Sequence, residues 1–195
     1  MKWSGQLPFA AGVAAALAAG WLAFPRFLYE SSHQPLQFSH KVHTGEKAGL
    51  SCDSCHSLGE DGRFNGIPGI EQCSPCHEQP QGTTADEKLF VETYVTPNRE
   101  VPWLVYARQP DHVYFPHAAH VKLAGISCER CHGSHGSSDT LRPHFRNRIS
   151  GYSRDIWGAS LSRLRLRAGE GMKMDDCAGC HAEKRVEAGC LDCHK

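Results

Sequence analysis

The chain has 195 residues, the length of one ordinary domain, with 21 basic and 21 acidic side chains and a formal charge of zero. Its hydrophobic content is a moderate 40%, and it carries 19 Gly, 11 Pro, 10 Cys and 13 His. Histidine far above its usual share and ten cysteines exclude an ordinary apolar-core domain, for a reason that lies in their spacing.

The first element is the stretch Trp3 to Pro25, 23 residues without a charge between Lys2 and Arg26. As a helix it would span about 35 Å, enough for a bilayer core. Trp3 and Trp21 lie near its ends, where amphipathic aromatics favour the interface. A cleaved secretory signal competes, and Ala18-Ala19-Gly20 suits one, but the apolar run is longer than a typical signal core. We expect a retained transmembrane anchor over 1–27 and a periplasmic domain over 28–195, in the inner membrane with a single N-terminal span. Lys2, before the span, fits an inside N-terminus.

Next comes Phe38-Ser-His40-Lys-Val-His43, followed by Cys52-Asp-Ser-Cys55-His56 and then Cys73-Ser-Pro-Cys76-His77. The first of these returns as Phe115-Pro-His117-Ala-Ala-His120, leading into Cys128-Glu-Arg-Cys131-His132. The offset is 77 residues between the phenylalanines and 76 between the cysteines, so 36–56 and 113–132 form an internal repeat. His at i and i+3 project in somewhat different directions from one turn, so each pair is expected to serve two irons.

Every cysteine falls in the word Cys-x-x-Cys-His, which recurs at Cys177-Ala-Gly-Cys180-His181 and Cys190-Leu-Asp-Cys193-His194. That word attaches c-type haem through two thioethers and supplies one axial imidazole. A zinc site has no reason to demand a His after each second Cys. A disulfide framework explains neither the spacing nor the His. Five words imply five covalently bound haem c, with no thiol left over. Haem propionates would add roughly ten negative charges. About 33 residues per haem is too few for a good polypeptide core, so the porphyrins should be the core. The expected fold is mostly irregular, with short α-helices around five haems and one N-terminal transmembrane helix.

Between the third and fourth words, Arg142, Arg146, Arg148, Arg154, Arg163, Arg165 and Arg167 face one acid, Asp155. Propionate pairing, an acidic partner, anionic lipid and a solvated face compete; partner or propionate contacts are favoured. Ser162 to Arg167 alternates basic and apolar residues, as an edge strand or extended segment would. Nucleic acid is not an expected partner of an exported haem protein. Met172 and Met174 precede the fourth word. Met is an established axial ligand, and Met174 is expected to be the fifth distal ligand, with His144 second. His135 lies too near its own motif, and His33 and His112 are weaker candidates.

The F-x-H-x-x-H turn before a CxxCH resembles the class III, cytochrome c3-like multihaem cytochromes. That resemblance implies that His40 serves the haem on Cys52 and Cys55, and His117 the one on Cys128 and Cys131, while His43 and His120 cap other haems. Five CxxCH words behind one span, Pro110 to Phe115 before the second pair, and Met before a late word look like the multihaem subunits of alternative complex III and of bacterial quinone reductase complexes. The resemblance implies an electron relay between a polytopic membrane quinone-reacting subunit and other redox subunits, not an enzyme by itself and binding no small-molecule substrate directly. The alternative is a multihaem enzyme with one open iron, of nitrite or hydroxylamine type. Eight spare His and two Met for five open faces make a vacancy unnecessary, and no CxxCK variant is present.

Overall fold

The computed structural model describes residues 5–107, 110–149, 151 and 174–194. Helix α1 (Gln6–Ala18) runs through a π-helical turn (Ala19–Ala23) into α2 (Phe24–Leu28). From Gln6 to Ala23 it is long and apolar enough to cross a membrane, with a mean hydropathy of 1.4. Its side chains, Leu7, Phe9, Leu17 and Trp21 among them, are exposed.

The chain then enters β1 (Tyr29–Ser32), which pairs antiparallel with β2 (His144–Asn147). The register sets Tyr29 opposite Asn147 and Ser32 opposite His144, and the Arg148 N–H donates to the Leu28 carbonyl. Arg146 of the Arg-rich stretch ion-pairs with Glu30 across this ladder at 3.5 Å. The segment 162–167, expected to be extended, lies outside the described residues, as does Met172.

The remaining helices are short. They are α3 (His40–Thr44), α4 (Ile70–His77), α5 (Ala85–Phe90), α6 (Cys128–His132), α7 (Met174–Lys184) and α8 (Cys190–Cys193). Four of them carry a CxxCH word: α4, α6, α7 and α8. The first word sits instead on a 3₁₀ turn, Cys52–Ser54. Capping explains why two of these helices start where they do. The Ser39 hydroxyl accepts from the Val42 N–H before α3, and the Thr84 hydroxyl from the Glu87 N–H before α5.

Among the described residues the buried apolar side chains are Leu36, Ile70 and Val91. The fold is thus mostly irregular with short helices and a two-stranded sheet, and the polypeptide has little apolar core of its own. Polar ties hold its loops. Gln34, 8% exposed, donates to the Leu104 carbonyl at 2.8 Å and accepts from the Leu104 N–H at 2.9 Å.

Candidate functional site: paired imidazoles on five CxxCH words

The two His-pair turns share one geometry. Phe38 stacks on His43 with ring centroids 4.3 Å apart and meets His40 edge-on at 4.9 Å. Phe115 does the same to His120 at 4.3 Å and His117 at 4.8 Å. The Leu50 N–H donates to the His43 carbonyl and the Ile126 N–H to that of His120, returning the chain toward the CxxCH word. The return turns on Gly49 (φ 64°) and Gly125 (φ 63°), a left-handed conformation that glycine adopts without steric cost.

Each pair splits between two CxxCH words. His43 faces His77 with centroids 6.0 Å apart, His117 faces His132 at 6.5 Å, and His120 faces His181 at 6.0 Å. A fourth pair joins His112 to His194 at 6.1 Å, fixed by the Tyr114 N–H donating to the Cys193 carbonyl. His40 lies beside His56, close enough for His56 to oppose its protonation. Burial first, and then His56, His135 and His43, hold the His40 pKa down to about 4. Burial, followed by His132 and His120, lowers that of His117. Neutral imidazole is the form that ligates a metal.

Two imidazoles on opposite faces of one iron, each at a bond of about 2.0 Å with a ring radius of about 1.1 Å, have centroids about 6.2 Å apart. The four measured pairs match that spacing. The ring nitrogens agree: Nδ1 of His43 donates to the Ser39 carbonyl, that of His56 to Gly66, and that of His120 to Pro116. Each bond assigns the proton to Nδ1 and leaves the Nε2 lone pair for a metal. All ten cysteines are free thiols. Among the described residues no group of three or more His, Cys, Asp or Glu converges as a zinc centre would require. The donor set therefore fits haem, two thiols and two imidazoles at a time.

Neighbouring thiols relate the words to one another. Burial and then Cys55 push the Cys73 thiol up to about 11. Burial, then Cys128, which is also hydrogen-bonded, raises that of Cys52. Burial raises Cys131, with Cys180 adding to it, and raises Cys177, with Asp176, Cys131 and Cys193 adding to it. Phe64 lies between the first and third words, its ring 6.1 Å from His56 and 4.5 Å from His117 and nearly parallel to both.

The other candidates are placed elsewhere. Met174 is the first residue of α7 and is 69% exposed. His144 is buried in β2 with its ring 5.9 Å from Tyr106, and His33 is exposed. His135 lies on the loop 134–139, which clasps α3. Ser138 accepts from the Lys41 N–H through its carbonyl, and its hydroxyl lies 3.3 Å from His40 Nδ1. Arg142 stacks over Tyr106 at 4.8 Å; burial first, then His56 and Arg142, lowers the His132 pKa, and burial, then Arg142 and His132, that of His135.

Thioether-spaced thiols and imidazoles paired across iron-sized gaps define a multihaem c-type cytochrome. Residues 25–101 match the class III cytochrome c family. The chain is 39% identical over 207 residues to the menaquinone reductase multihaem cytochrome c subunit of Nitratidesulfovibrio vulgaris (strain Hildenborough), covering 98% of this chain and 90% of that protein. The chain belongs to the class III cytochrome c family, and its haem is covalently bound.

Proposed function

We propose that the chain is a five-haem electron relay. It is anchored by 1–27, carries its haem domain (28–195) on the periplasmic side of the inner membrane, and works within a quinone reductase complex. The relative's assembly is a menaquinone reductase, and we extend that setting to this chain. Its partners are then a polytopic quinone-reacting subunit and further redox subunits. Bound haem supplies a one-electron iron couple. The protein spaces the irons and sets their potentials.

The observation that carries this reading is the set of four His–His centroid distances between 6.0 and 6.5 Å. Each joins a CxxCH histidine to one from elsewhere in the chain. With His40 serving the His56 site, every iron has two imidazoles and none keeps an open face. The fifth distal ligand is then His112 in place of Met174. Following the thiol neighbours, the sites run in single file: His77, His56, His132, His181, His194.

Intact-mass spectrometry should find five haems per chain, and EPR of the oxidised protein only low-spin signals. A stoichiometric high-spin haem that binds cyanide or nitrite would refute the relay. Isolation of the native complex should recover a polytopic membrane subunit, and N-terminal mass analysis should find the anchor retained.

A further inference from the structure

The His77 imidazole differs from those of His43, His56 and His120 in what holds it. His43, His56 and His120 donate from Nδ1 to main-chain carbonyls. His77 donates to the Glu87 carboxylate at 2.8 Å, and both side chains are largely shielded, at 15% and 18% exposure. The carboxylate is fixed rather than incidental. The same Glu87 oxygen accepts from the Gln81 N–H at 2.9 Å, and the Glu87 N–H is capped by Thr84 at 3.2 Å. The loop 78–84 thus folds back so that α5 delivers one acid to one ring nitrogen. Phe90 packs edge-on against the same imidazole at 5.4 Å.

A carboxylate acceptor pulls the Nδ1 proton harder than a carbonyl does. That makes Nε2 a stronger donor and favours the ferric over the ferrous state of the iron it binds. We infer that Glu87 is a positioning residue that holds the His77 site at a lower potential than a carbonyl partner would. The inference rests on the relay reading, in which His77 is one terminus of the file. A terminus biased toward the oxidised state passes an arriving electron inward instead of retaining it.

The test is redox titration of the full-length, five-haem protein followed by EPR, comparing wild type, Glu87→Gln and Glu92→Gln. Glu92 is an acid on the following turn, paired with Lys88 at 3.7 Å and without a contact to His77. Glu87→Gln keeps the shape and a hydrogen bond but removes the charge. It should raise one midpoint and alter one low-spin signal, with the others unmoved, while Glu92→Gln shifts that midpoint far less. Equal shifts in the two variants, or none in Glu87→Gln, overturn the inference. Haem-peptide mass spectrometry of the Cys73–Cys76 segment separates the two readings: a segment without haem sinks the relay assignment itself, whereas haem present with an unmoved midpoint sinks only the role of Glu87.

Discussion

At the scale of single residues, function turns on which nitrogen is free. Nδ1 of His43 and His120 is tied to the carbonyl four residues back, so Nε2 points away from the turn. His112 has no counterpart in the first repeat, and the role proposed for it emerges only when its ring is seen 6.1 Å from that of His194. His112→Ala should convert one of five low-spin haems to high spin in the optical and EPR spectra, whereas Met174→Ala should leave both spectra unchanged.

At the scale of elements, the FxHxxH turn is a rigid unit whose phenylalanine orients both imidazoles. Phe38→Leu removes the ring stacked on His43 and edge-on to His40, so the EPR signals of two haems should change together. Phe115→Leu should do the same to a different two. Gln34→Ala removes both hydrogen bonds to the half-buried main chain of Leu104, which at about 0.5–1.5 kcal/mol each should lower the denaturant midpoint. These elements differ in how far the sequence revealed them. The CxxCH words are legible because thioether chemistry needs Cys, Cys and His within five residues. The paired turns are legible because they repeat. Which CxxCH histidine each paired His faces is a tertiary fact, since His43 meets His77 and His120 meets His181 only in the folded chain. His112, lacking a repeat partner, could not be singled out: beyond the paired turns the sequence leaves His33, His112, His135, His144 and two Met, and only the folded chain sets one of them beside His194. Glu87 carries no local mark, because its meaning depends on a loop that folds back ten residues.

At the scale of the molecule, the polypeptide is a scaffold that borrows its interior. Leu36, Ile70 and Val91 are too few to hold the described residues together, so the chain made without haem attachment should fail to fold, giving a far-UV spectrum without cooperative melting. The two repeats meet at Cys52 and Cys128, beside Phe64, where the proposed file of haems would cross. The loop 134–139 from the second repeat clasps α3 in the first at the same crossing, through Ser138 to Lys41 and Gly136 to Thr44.

The β1–β2 ladder has a mechanical consequence. Its first strand begins at the residue after α2 ends, and its second lies more than a hundred residues onward, between the third and fourth words. The long helix therefore meets the haem-bearing part through a riveted joint rather than a swivel. With that helix embedded in a bilayer, the file of irons would keep one bearing and one height above the lipid. A tunnelling gap to a membrane partner would then be set once, at folding, instead of being found anew by each diffusive swing.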